Sequence, residues 1–87
     1  MKILIADDHA LYRDGLALRL EQIAPEAIIL QASNYAQIFK IIKTDNDISI
    51  IILDIEMQDM PWLDALQMMH KMLPHTAIVV EIGRAHV

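Results

Sequence analysis

The chain has 87 residues, room for one small domain with a thin core. Seven basic against twelve acidic residues give a net charge of −5, which argues against nucleic acid as a direct partner, because phosphate contacts need clustered Lys and Arg. Hydrophobic residues at 55% exclude disorder, and the lack of cysteine removes disulfides, thiolate metal sites and thiol nucleophiles. No apolar run approaches the ~18 residues of a membrane span, and no basic stretch precedes an apolar one as in a signal peptide. A soluble, cytoplasmic domain is expected.

Taken in chain order, short β-branched runs alternate with stretches at helical spacing. Ile3–Ala6 reads as a first strand. Tyr12, Leu16, Leu20 and Ile23 then fall on one helical stripe. A second strand is predicted at Ala27–Leu30, followed by a helix with Tyr35, Ile38, Phe39 and Ile42 inward and Ser33 or Asn34 as its cap. The third strand is Ile48–Leu53; the third helix presents Leu63, Leu66, Met69 and Leu73 and closes at Pro74. Ala77–Val80 is the fourth strand. The runs are continuous rather than alternating, as in strands buried on both faces. A β-α-β-α-β-α-β order of this kind implies a parallel sheet with right-handed crossovers and helices on both faces. Ligands bind such sheets beyond the carboxyl ends of the strands.

Asp7 and Asp8 follow the first strand directly, and Asp54 follows the third. If these strands are neighbours, three carboxylates meet at one rim, where like charges oppose each other's ionisation. A hard cation resolves that conflict, and oxygen ligands with one open side suit magnesium. Taken singly, Asp8 as a helix cap and Asp54 as a turn residue are common, so each also has an ordinary structural explanation. A carboxylate beside such a cation can act as a nucleophile toward phosphorus. Asp54, alone at the end of the most apolar strand, is the better acceptor; Asp7 and Asp8 are better placed to hold the metal.

The segments IADDH at 5–9 and ILDIEM at 52–57 resemble the receiver domain of two-component response regulators. DDHALYRDGL at 7–16 is most similar to the subfamily carrying a C-terminal LuxR-type helix-turn-helix domain. The resemblance covers residues 2–80. It implies a CheY-like, flavodoxin-like doubly wound three-layer sandwich, here with four strands in the order 2-1-3-4 and the fifth missing. It further implies Asp54 as phosphoacceptor and Mg2+ held by Asp8, by Asp7 largely through water, by Asp54 and by the backbone carbonyl of Glu56. The donor would be a phosphohistidine on a sensor histidine kinase, and the output a DNA-binding domain that lies outside this chain.

The sequence departs from the family in two places. After Met57 the family's Pro-Gly is replaced by Gln58, Asp59 and Met60, with Pro61 and Trp62 behind. Counting on from Val80, the family's switch Ser or Thr falls on Ile82, and its later Lys has no counterpart. The last seven residues, EIGRAHV, can be encoded by a stretch resembling a common sequencing-library adapter, so 81–87 are expected to be a non-native tail after a truncated domain at 1–80. A chain ending there leaves its fourth strand as an open edge and is expected to self-associate or remain partly molten.

Other residues have more than one reading. His9 could touch a phosphoryl group or a partner, or simply begin a solvent-facing helix. His70 and His75 suit the end of the third helix; no two histidines have metal-ligand spacing. Met57, Met60, Met68, Met69 and Met72 read mainly as core fillers. Trp62 is either a partner contact or a lid, and Arg13, Asp14, Arg19 and Glu21 read as a solvated face. The leading function is a phosphorylation-dependent signalling module, not a turnover enzyme. A phosphorylation-independent interaction domain is the alternative. An aspartyl-phosphate phosphotransferase is weaker, since it wants Asp-x-Asp after its first strand.

Overall fold

Every apolar run forms a strand and every stripe a helix in the computed structural model, which describes residues 1–81. The order is β1 (Lys2–Ala6), α1 (Ala10–Ile23), β2 (Ile28–Ala32), α2 (Tyr35–Thr44), β3 (Ile50–Asp54), α3 (Trp62–Met72) and β4 (Ala77–Glu81). The strands make one parallel sheet in the order β2-β1-β3-β4, the arrangement expected for the flavodoxin-like fold. Register sets Ile3 beside both Ile29 and Ile50, and Asp54 beside Glu81. Because β1 and β3 are neighbours, the residues just past their ends share one rim.

The two faces of the sheet are covered unequally. On one, Leu4, Ala6, Ala32, Ile51 and Leu53 pack with Tyr35, Ile38 and Ile42 of α2 and Ala65 and Met69 of α3. Truncating such a side chain to Ala costs about 2–5 kcal/mol. Strand alternation turns Ile3, Ile5, Ile52 and Val79 to the other face, where α1 is the only covering helix among the described residues. Ile3, Ile5 and Ala17 are buried there, while Val79 is half exposed.

That asymmetry corrects the stripe read for α1. Leu16 and Leu20 are partly buried, but Tyr12 and Ile23 lie on the surface, and Ala17 is the one residue of the helix that is fully buried. In α3 the inward positions are Ala65 and Met69, and Leu63 is exposed. Strand limits also shift. The N–H of Ala27 closes a turn onto the carbonyl of Ala24, so β2 starts at Ile28 rather than Ala27. Ile48 is buried but precedes β3, its carbonyl accepting from the Thr76 hydroxyl. Glu81 continues β4 one residue beyond the predicted end. The rest of the segment expected to be a tail, residues 82–87, lies outside the described residues, as does the switch position at Ile82.

Helix ends follow local chemistry. Asn34 caps α2 by accepting the Gln37 N–H at 2.8 Å, and Gln37 Oε1 accepts the N–H of Ser33 at 2.7 Å, a reciprocal arrangement close to a capping box. Asp64 in the first turn of α3 and His70 and Lys71 in its last turn complement the helix dipole. Among the described residues no side chain caps α1, whose N-cap residue is His9. Asp8 is therefore not serving as a cap.

Candidate functional site

Two strand ends build the site with one local device. The Asp7 N–H extends the β1–β2 pairing by bonding to the Ala32 carbonyl at 3.0 Å. Its Oδ1 then accepts the N–H of His9, two residues on, at 2.8 Å. Asp54, closing β3, accepts the N–H of Glu56 on Oδ1 at 3.0 Å. Each carboxylate is thus turned by its own chain in an Asx-type turn. Both are buried, at 1% and 2% exposure, whereas Asp8 is exposed.

Asp7, Asp8 and Asp54 converge as the sequence predicts, and His9 joins them. One ligating atom from each of the four lies within 4.8 Å of the others. His9 Nδ1 is 2.8 Å from Asp8 Oδ1, 3.0 Å from Asp7 Oδ1 and 4.0 Å from Asp54 Oδ2. His9 joins carboxylates rather than another histidine. The side chain of Glu56 faces solvent, and its contribution to the rim is through the backbone.

Arg13 corrects the sequence reading most directly. Rather than forming part of a solvated face, it sends Nη1 to the Asp7 carbonyl at 2.7 Å and Nε to Gln31 Oε1 at 2.8 Å. It pins the turn that carries the acidic pair to the end of β2. Asp14, Arg19 and Glu21 are exposed, as expected.

Beyond Asp54, the altered loop is strapped to α2. The Tyr35 hydroxyl donates to the Ile55 carbonyl at 3.1 Å. Asp59 accepts the N–H of Tyr35 at 3.1 Å and of Ala36 at 3.0 Å, where the helix dipole favours an anion. Burial foremost, then the negative charges of Asp54 and Asp59, pushes the Tyr35 phenol up to about 12. An open cavity of about 840 Å³ runs from Asp8 and His9 along this loop to Trp62. Trp62 is half exposed in the first turn of α3. Met57 and Met69 are core residues, but Met68 and Met72 lie on the surface.

The sequence model of the response regulator receiver domain family matches residues 3–85. No curated protein matches the sequence. Among solved structures, the chain is similar to a response regulator receiver domain protein from Clostridium thermocellum, at 27% identity and a TM-score of 0.83, covering 97% of this chain and 66% of that one. It is also similar to a Burkholderia pseudomallei response regulator solved with a phosphorylated aspartic acid, calcium ion and citrate (22% identity, TM-score 0.83, 99% and 49% covered). A third likeness is to RcsB from Salmonella enterica serovar Typhimurium bound to promoter rprA with the phosphomimetic BeF3− (21%, TM-score 0.80, 94% and 42%). The chain thus spans about two thirds of the first of these and under half of the others. A parallel sheet with its acidic residues at the ends of β1 and β3, together with this match, defines the class: the chain belongs to the response regulator receiver domain family, a signalling module of two-component systems.

Proposed function

We propose that the chain accepts a phosphoryl group on Asp54 from a phosphohistidine of a sensor histidine kinase, with Mg2+ held by Asp7, Asp8, Asp54 and the backbone carbonyl of Glu56. The observation that carries this reading is the convergence of three carboxylates, two of them buried, at the ends of adjacent strands. Such an oxygen donor set fits a hard divalent cation, and burial would otherwise make the repelling charges costly. When bound, magnesium offsets the charge on the carboxylates and on the incoming phosphoryl oxygens.

The protein's own groups orient the acceptor. The Glu56 N–H holds Asp54 Oδ1 and thereby fixes the plane of the carboxylate. One Asp54 oxygen attacks phosphorus, the P–N bond of the donor breaks, and the departing imidazole keeps the electron pair and takes a proton from solvent. Arg13 keeps Asp7 in register by gripping its carbonyl. The Burkholderia relative, solved with a phosphorylated aspartic acid and a calcium ion, supports this chemistry by likeness of fold. The RcsB relative, bound to promoter DNA, supports a transcriptional output through a separate helix-turn-helix domain, in keeping with the seven basic against twelve acidic residues of this chain. No helix of the described residues is long and apolar enough to cross a membrane, and the proposed setting is the cytoplasm. The partly exposed Val79 and Val80 of β4 support self-association along that edge, which sedimentation at rising concentration tests.

The test is intact-mass analysis after incubation with acetyl phosphate and Mg2+. The wild-type chain should gain one phosphoryl group and the Asp54→Asn variant none. Equal labelling of both would remove Asp54 from the acceptor role, and no labelling of either would favour a phosphorylation-independent interaction domain.

A further inference from the structure

We propose that His9 makes this a mixed nitrogen and oxygen centre, so that the site takes a first-row transition cation through His9 Nδ1 as well as through Asp7, Asp8 and Asp54. The inference rests on the reading that these three carboxylates hold a divalent cation, and it concerns what the adjacent imidazole adds. Donors sharing one such ion at ~2.1 Å lie about 3 Å apart when adjacent and about 4 Å apart when opposite. His9 Nδ1 stands 2.8 and 3.0 Å from oxygens of Asp8 and Asp7 and 4.0 Å from Asp54 Oδ2. The two shorter distances are those of hydrogen bonds between the ring and the carboxylates. The same three spacings also match neighbouring and opposite donors around one ion, the four atoms as a set lying within 4.8 Å of one another.

The chain holds the ring there. His9 is the N-cap residue of α1, with extended backbone, and its own N–H is bound to Asp7 Oδ1. The imidazole and the buried carboxylate are therefore fixed by the same turn. Imidazole suits nickel, zinc, cobalt and copper and adds little for magnesium, which prefers oxygen alone. An all-oxygen site already binds these ions more tightly than magnesium, so the distinguishing claim is the share that depends on His9. The consequence is competition: a transition cation seated on four side chains would occupy the coordination positions that the phosphoryl oxygens require.

Calorimetric titration of the 87-residue chain with NiCl2 and with MgCl2, in buffer free of chelators, tests this. Trp62, the one tryptophan, lines the same cavity, and Ni2+ quenching of its fluorescence reports occupancy locally. His9→Gln should weaken Ni2+ binding about 10- to 100-fold without weakening Mg2+ binding, which also shows that the variant is folded. A His70→Gln/His75→Gln double variant should keep the wild-type Ni2+ affinity and quenching. Ni2+ affinity unchanged in His9→Gln, or lost with His70 and His75 instead, overturns the proposal while leaving the magnesium site standing. A wild-type chain that binds neither ion overturns both readings. One that binds Ni2+ through His9 but not Mg2+ supports this inference and removes magnesium from the proposed function.

Discussion

Asp59 holds Tyr35 from across the site: its carboxylate, five residues past Asp54, accepts the Tyr35 N–H at 3.1 Å and the next N–H, of Ala36, at 3.0 Å. The loop that lacks the family's Pro-Gly is thereby fastened to the first turn of α2. Asn34 and Asp59 divide the orphan donors of that helix end between them. Replacing Asp59 with Ala should lower stability by about 1 kcal/mol, the usual worth of a helix-capping side chain. Urea unfolding checks the value, and Asp59→Asn should recover part of it.

Tyr35 completes the strap through its hydroxyl and contributes a pH dependence. Its phenol titrates near 12 in the folded chain, against an ordinary value of 10.0. Below pH 10 both states keep the proton and the residue gives no slope. Between 10 and 12 the unfolded chain loses the proton first, so stability falls as pH rises. Tyr35→Phe should remove that part of the slope. It should also cost about 1–2 kcal/mol at neutral pH by leaving the Ile55 carbonyl without its donor. Unfolding curves of both proteins across this range measure the two effects.

Arg13 grips the Asp7 carbonyl and Gln31 with two different nitrogens. Lys has one point charge and cannot hold that fork. Arg13→Lys and Arg13→Ala should both weaken Mg2+ binding, by about tenfold as for other groups that position a metal ligand. Asp14→Ala, on the exposed side of the same helix, should leave it unchanged. Calorimetry with MgCl2 distinguishes them.

Asp54→Asn should make the metal-free chain more stable while removing its acceptor. Two buried carboxylates at one rim repel, and an amide oxygen still accepts the Glu56 N–H. The expected melt in chelator is higher than wild type, with a smaller gain on adding Mg2+. Such opposition of stability and function is common at built sites.

The sheet order and the acidic rim were legible because each depends on few facts. A residue at or just past the end of a buried parallel strand is confined to one rim, and Asp7, Asp8 and Asp54 all stand there. What stayed hidden needs contacts between segments distant in the chain. Arg13 looks like any helix-surface cation until Gln31 and the turn at Asp7 are placed beside it. Asp59 reads as a loop acid until the end of α2 arrives. His9 begins α1, as one of its two sequence readings has it, but its contact is with the carboxylates of Asp7 and Asp8, which the sequence does not show. The stripe of α1 differs from its burial for another reason: periodicity finds an apolar face, but burial depends on how much of the sheet lies opposite. Here one helix covers that face among the described residues, and Ile23 stays in water.

The most direct test of the account is where the phosphoryl group goes. After reaction with acetyl phosphate and Mg2+, borohydride reduction converts an acyl phosphate to an alcohol that peptide mass spectrometry can locate. The account predicts the mark at Asp54, at the end of β3, and at no other acidic residue. A mark at Asp7 would move the nucleophile to β1 and contradict the account.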